Sequence, residues 1–319
     1  MRLLLIWAVA VVLSAATAMA QEQRLKAGAL RYVFEQWMQD QGVDEASFVT
    51  LFRGVEVGRP LSPDRTVELA SLSKAITAVC VAELIAEGIW SHQTTAAQVL
   101  GKGPPGLTLT QLVTHTGRVA PDKTQGMRWV LRDMNAPLIE EIASAALDRN
   151  LGTQGSYFYN NENYAILGQM IEKVLGVSYA AACTPRALDP AGVTTAQASA
   201  TMGGTLPWGG WAMSLRDYAR FQYHWFGPDG PYSAGSPAAL RVDIGGGAAY
   251  GLGIFERATR RGHNLWHFGS WCMPFRVNAG TYAVIWEGEW SVVASYDICI
   301  GAEEHAALDH ALSKVIYGQ

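Results

Sequence analysis

Ser71 and Lys74 stand one helical turn apart in the run Ser71-Leu72-Ser73-Lys74-Ala75-Ile76-Thr77-Ala78-Val79-Cys80-Val81-Ala82-Glu83-Leu84-Ile85. The run is helix-length and apolar on nearly every side, the pattern of a buried helix. Residues three apart share a helix face. A charged lysine in such a helix is costly unless it is paired or gives up its proton. A serine beside a lysine of lowered pKa is one way to make an acyl-transfer nucleophile. Bland roles exist for both: Ser71 could cap the helix, and Lys74 could reach along it to water.

Two later segments add chemistry-bearing residues. One is Tyr157-Phe158-Tyr159-Asn160-Asn161-Glu162-Asn163-Tyr164, the other Trp266-His267-Phe268-Gly269-Ser270-Trp271. As plainer alternatives, Tyr159 and Asn161 could serve as loop residues capping the next helix, and His267 as a strand histidine satisfied by a neighbour. His263 and His267 lie four apart but have no evident third ligand, so no metal is expected. His115 reads as structural. Trp208, Trp211, Trp266 and Trp271 suit an aromatic groove or plain core packing.

The elements that must position these residues are legible in the hydrophobic periodicity. Leu30, Val33, Phe34, Trp37 and Met38 mark an amphipathic helix over about residues 24–40. Phe48 to Phe52 reads as a strand, and the buried helix stops near Gly88. Helices are expected after Leu107, over Pro137 to Leu147, over Asn163 to Leu175 with Gly176 at its C-cap, and over Leu215 to Phe226 with Ser214 and Asp217 at its start. Residues 227–247, rich in Gly, Pro and Ser, read as a long surface loop. His263 to Trp271, Thr281 to Trp286 and Ser291 to Ile298 read as strands, with Glu287-Gly288-Glu289 turning between the last two. Ala307, Leu308, Ala311, Leu312 and Val315 mark a closing helix. The expectation is an α+β fold: an antiparallel sheet flanked by N- and C-terminal helices, with an inserted, mostly helical subdomain. The sheet part is expected from about residues 21–70 and 215–319, the helical part from about 71–214.

Composition bounds the class. A chain of 319 residues supports one large domain with a real core. Net charge is −4 with no basic block, which argues against a nucleic-acid partner. Arg2, the apolar stretch Leu3 to Leu13 and the small-x-small site Ala18-Met19-Ala20 read as a secretory signal peptide over residues 1–20. A secreted, periplasmic protein with no stable membrane span after cleavage is therefore expected. The spacing of Cys80, Cys183, Cys272 and Cys299 matches no metal site. Cys80 reads as a core residue inside the buried helix, and Cys272 and Cys299 are a candidate pair that the sequence does not decide.

Ser71-x-x-Lys74, Tyr159-Asn160-Asn161 and His267-Phe268-Gly269, in this order and spacing, resemble the serine β-lactamase and penicillin-binding-protein superfamily. The likeness is to the branch holding class C β-lactamases, D-alanyl-D-alanine carboxypeptidases, D-aminopeptidases and β-lactamase-like esterases. It covers nearly all of the chain after residue 20. Weaker likenesses are Thr114-His115-Thr116-Gly117 and Gly209-Gly210-Trp211. The resemblance implies a β-lactamase/transpeptidase-like fold and a serine hydrolase that forms an acyl-enzyme on Ser71 without cofactor or metal. Its substrate would be a small molecule or peptide: a D-amino-acid peptide, a small amide or an ester. It further implies Lys74 as general base and Tyr159, with a lowered pKa, as proton relay. Asn161 would contact the substrate amide or the lysine, and the amides of Ser71 and Ser270, beside Gly269, would form an oxyanion hole. His267 would bind or protonate the far end of the substrate. Alternatives are a true class C-like β-lactamase and a non-catalytic sensor of cell-wall fragments. Two departures shape the reading. His267-Phe268-Gly269 replaces Lys-Thr-Gly, which turns it toward peptidase, amidase or esterase chemistry, and Thr153-Gln154-Gly155-Ser156 replaces the Pro-Gly-Thr ahead of the tyrosine.

Overall fold

The computed structural model describes the chain except Met1, Arg118, Ala120, residues 125–131 and 150–154, Pro274 and Gln319; of residues 2–18 it describes the backbone alone. Thr153 and Gln154 therefore lie outside the described residues. The chain opens with helix α1 (Arg2–Gln41), which runs unbroken through the expected cleavage site. Strands β1 (Ala46–Phe52), β2 (Val55–Glu56) and β3 (Thr66–Glu68) follow. One 3-10 turn, Ala70–Leu72, leads into α2 (Ser73–Ala86). Helices α3 (Ala96–Leu100), α4 (Leu109–Val113), α5 (Leu138–Leu147), α6 (Asn161–Leu175) and α7 (Tyr179–Cys183) come next, then the short strands β4 (Gln197–Ala198) and β5 (Trp211–Ser214). Helix α8 (Leu215–Phe226) precedes six strands: β6 (Arg241–Gly245), β7 (Ala248–Gly251), β8 (Ile254–Ala258), β9 (His263–Met273), β10 (Val277–Trp286) and β11 (Trp290–Tyr296). Helix α9 (Ala302–Tyr317) closes the chain. No helix among the described residues is long and apolar enough to cross a membrane.

The fold is α+β. Eight antiparallel strands form one sheet in the order β2-β1-β11-β10-β9-β8-β7-β6, and β3-β5-β4 form a second, small sheet. The central strands are apolar on both faces, and successive side chains point to opposite sides. Val49 of β1, Ala283 and Ile285 of β10 and Val293 of β11 join the core shared with α2 and the other helices. Phe48, Tyr282, Val284, Trp286, Val292 and Ala294 join a second core against α1 and α9, built on Leu30, Phe34, Leu308 and Leu312. The sheet is thus a wall between two helical layers.

Local signals explain the helix ends. Ser214 caps α8 by accepting from the Asp217 amide, and Gly176 stops α6 in the left-handed region at φ 67°. Glu287 and Gly288, both at positive φ, turn β10 into β11. Two expectations need correction. The stretch 227–247 is not loop throughout, because Arg241–Gly245 pairs with β7. Cys80 is not a plain core residue, because it is disulfide-bonded to Cys183 and ties α2 to α7. The second disulfide joins Cys272 to Cys299, stapling the end of β9 to the segment before α9.

Candidate active site

The turn that carries Ser71 is held in an unusual shape. Ala70 has φ 46°, left-handed for a residue with a Cβ, a conformation that persists only when its surroundings enforce it. Thr281 of β10 donates to the Leu69 carbonyl at 2.9 Å, and the Leu69 amide donates to Trp211 O at 2.9 Å. Strand β9 presses on the same turn: a Cβ at Gly269 would stand 2.6 Å from the Ser71 nitrogen and 2.9 Å from the Ala70 Cβ. Only a residue without a side chain lets the two backbones meet.

Lys74 follows in the first turn of α2, with no exposed surface. Its Nζ lies 3.0 Å from Ser71 Oγ and donates to Trp208 O at 2.9 Å. It also sits 4.8 Å from the Tyr159 ring centroid and 5.8 Å from that of Tyr164. Burial pulls its pKa from 10.5 down to about 7, and the negative charge of Asp122 opposes the shift without cancelling it. As a neutral amine it can keep its bond to Trp208 and still offer a lone pair to the Ser71 hydroxyl. The chain bearing Trp208 runs along α2: Thr77 donates to Pro207 O at 2.6 Å and Trp211 N donates to Ser73 Oγ at 3.3 Å.

Tyr159 reaches the site from the strand-like lead into α6. Phe158 N donates to His115 O at 2.8 Å, and the Asn160 amide donates to His115 Nδ1 at 3.2 Å. The His115 ring packs on Tyr159, Tyr164 and Tyr250 with centroids 4.6, 5.1 and 5.0 Å away. His115 is therefore the bracket that holds Tyr159. Burial raises the Tyr159 pKa well above the usual phenol value, with the Ser71 hydroxyl pulling the other way. The expected lowered pKa is thus corrected: an apolar aromatic surround keeps this phenol protonated. For Asn161 the expected alternative of a bond to the lysine is corrected. Its Nδ2 donates to Thr124 Oγ1 at 2.9 Å and its backbone amide to Asp122 Oδ2 at 3.0 Å, so its amide group holds the 122–124 loop rather than bonding to Lys74. Asn161 Oδ1 is buried without a partner among the described residues.

On β9, His267 points toward the same place. Its Nδ1 is 2.6 Å from the Phe268 carbonyl oxygen. A carbonyl only accepts, so Nδ1 carries the proton and Nε2 is left as a buried acceptor. Burial and the Lys74 charge lower its pKa to about 3. It is neutral at ordinary pH, which corrects the expectation of a proton donor. Ser270 Oγ donates to Ile300 O at 3.2 Å. Strand β8 pairs with β9 only as far as Trp266, so the β9 edge beyond it is open, and a cavity of about 380 Å³ wraps that edge beside Ser71, Tyr159 and His267. A larger cavity of about 570 Å³, lined by Arg24, Arg31 and Arg59, shares no residue with it.

Several residues here carried no sequence signal of their own. Trp208 contributes a carbonyl, which any residue has. Tyr250 and Phe255 sit on the short strands β7 and β8. Gly253, at φ 74°, lets the turn between those strands press on the Lys74 backbone, where a Cβ would meet Lys74 C at 2.5 Å.

The beta-lactamase family model matches residues 30–235. Penicillin-binding protein 4* of Bacillus subtilis is 30% identical over a stretch covering 38% of this chain and 28% of that protein, so the chain matches well under two thirds of that relative. The octameric penicillin-binding protein homologue from Pyrococcus abyssi superposes with a TM-score of 0.74 at 20% identity, over 92% of this chain and 78% of that one. A class C beta lactamase from Rhodobacter sphaeroides superposes with a TM-score of 0.71 at 17% identity, over 91% and 99%. With the family model spanning more than half of its length, the chain belongs to the beta-lactamase family.

Proposed function

We propose that the protein is an exported serine hydrolase that cleaves amides or esters through an acyl-enzyme on Ser71. The observation that carries this reading is the pair Lys74 Nζ and Ser71 Oγ at 3.0 Å, with the lysine buried and its pKa lowered to about 7. In the proposed reaction Ser71 Oγ attacks the substrate carbonyl carbon while its proton passes to the neutral Lys74 amine. The oxyanion forms against the Ser71 amide and the neighbouring amide of Ser270 on the open edge of β9. Tyr159, protonated and next to Ser71, delivers a proton to the leaving amine or alcohol as the tetrahedral intermediate collapses. The Lys74 ammonium then restores the phenol's proton. A water activated by the regenerated Lys74 amine cleaves the acyl-enzyme. Asn161 acts at one remove, by fixing the 122–124 loop whose Asp122 carboxylate favours the charged form of the lysine.

Export rests on the leader-like residues 1–20 and agrees with two disulfides, which persist in oxidising compartments. The test is covalent labelling. The purified protein is treated separately with a fluorophosphonate and a fluorescent penicillin, the adduct is mapped by mass spectrometry, and a panel of esters, amides and lactams is assayed. Label on Ser71 with turnover of esters or amides is expected. No label on Ser71 with either reagent overturns the reading, and label without any turnover makes the protein a sensor instead.

A further inference from the structure

The cavity beside Ser71 has a second wall that the reaction does not use. Helix α9 and the segment before it line the cavity with Ile300, Gly301, Ala302 and His305, and Phe255 and Tyr157 line it too. His305 is only 2% exposed and stacks on Phe268, ring centroids 4.5 Å apart. Its Nδ1 is 2.8 Å from the Gly301 carbonyl oxygen, so Nδ1 carries the proton, as it does in His267. Both Nε2 atoms are left as buried acceptors with no donor among the described residues. Two imidazoles fixed in this tautomer by backbone carbonyls bring no charge to the cavity. No lysine, arginine or carboxylate lines it among the described residues; beyond the α9 wall and His267 it is lined by Phe255, Phe268, Tyr157 and Tyr159, with Ser71 and Ser270. The Cys272–Cys299 disulfide anchors this wall to β9.

We propose that this cavity is a selectivity pocket for an uncharged, apolar substituent of the substrate, with the α9 wall around His305 as the selecting surface. The proposal rests on the reading of Ser71 as the nucleophile and narrows its substrate class. A carboxylate in the cavity would lose its water and meet no cation among the lining residues, only neutral groups: ring faces, the hydroxyls of Ser71, Tyr157, Tyr159 and Ser270, and imidazole lone pairs that repel it. An alkyl or aryl group would gain by leaving water. Burial holds the pKa of His305 at about 4, so the wall stays uncharged through the neutral range.

Two matched ester pairs test this. Pentanoate and monoglutarate esters of p-nitrophenol differ by methyl against carboxylate on the acyl side. The acetates of 3-methylphenol and 3-hydroxybenzoate differ in the same way on the leaving-group side. The hydrolysis kcat/KM of the intact protein is read together with calorimetric binding to the Ser71→Ala variant. In at least one pair the methyl member is expected to be favoured by about 10-fold or more in both measurements. His305→Lys should narrow that preference to within about 3-fold, and so should Ala302→Lys, which places the cation from an exposed position where folding is not at stake. Equal or better use of the carboxylates in both pairs overturns the pocket, as does a preference untouched by Ala302→Lys. Preferential binding to Ser71→Ala without any turnover by the intact protein overturns the hydrolase reading and leaves the pocket standing. Turnover without preference overturns the pocket alone, and neither binding nor turnover overturns both.

Discussion

Lys74 donates to the Trp208 carbonyl oxygen at 2.9 Å while its Nζ stays 3.0 Å from Ser71 Oγ. The bond to Trp208 fixes where the amine points, and its burial sets its charge. A buried amine whose partners are one carbonyl and one hydroxyl, with no carboxylate bonded to it, is poorly compensated as an ammonium, so the cost of burial falls on the protonated form. The consequences can be measured in stability as well as in activity.

Lys74→Met should make the protein more stable and inactive. The folded-state pKa lies below the unfolded one, so the unfolded chain binds more protons between about 7 and 10.5 and stability rises with pH through that window. Removing the amine should abolish that slope. Below pH 7 it should add about 2–4 kcal/mol net, the lysine's penalty less the Trp208 acceptor left bare. Denaturant melts at pH 6 and pH 9 check this; a variant less stable at both pH values contradicts it.

Gly269→Ala should cost activity out of proportion to its size. The added methyl would meet the Ser71 nitrogen at 2.6 Å and displace the amide proposed to bind the oxyanion. Loss of one such donor costs about 100-fold or more in kcat. The variant is to be compared with the parent by kcat and circular dichroism, and a folded variant within a few-fold of the parent would speak against this geometry.

Tyr159→Phe should lower kcat by about 100-fold or more, the usual contribution of a positioned proton donor, with no shift in the pH profile. The profile should hold because the phenol, pushed well above its ordinary pKa by burial, does not titrate in the neutral range. A profile that loses an ionisation near neutral pH in this variant would show that Tyr159, not Lys74, supplies it.

Much of the site was legible because its chemistry sits in short motifs with fixed spacing. Ser71 and Lys74 share a turn, Tyr159 and Asn161 sit where α6 begins, and His267 and Gly269 fall on one strand. What the sequence could not carry was environment. Tyr159 near a cation suggested a lowered pKa, but His115, Tyr164 and Tyr250 come from three different elements and together keep it protonated. Asn161 was placed by its motif, yet its partners Asp122 and Thr124 lie 37–39 residues away. Cys80 sits in an apolar helix and looks like core until α7 brings Cys183 against it, 103 residues on. Strands β7 and β8 were missed because four or five residues, two of them alanine in β7, show no clear alternation.

The two disulfides should differ in effect. Cys80→Ser with Cys183→Ser opens the longer loop and should cost about 4–5 kcal/mol of stability, the chain-entropy value for a loop of that length. Cys272→Ser with Cys299→Ser opens a 27-residue separation and should cost less, about 3–4 kcal/mol, but should raise KM for apolar esters because the α9 wall loses its anchor. Thermal melts and ester kinetics on the two double variants check the contrast, which fails if KM responds only to the first.

The most direct measurement is the pH dependence of fluorophosphonate inactivation at Ser71, read as a second-order rate constant from pH 5 to 10. A base of pKa about 7 predicts a rate that rises tenfold per pH unit at the acid end and levels off above a midpoint near 7, with Lys74→Met slow at every pH. A midpoint near 10, the ordinary lysine value, or a Lys74→Met variant that reacts like the parent, would contradict the account.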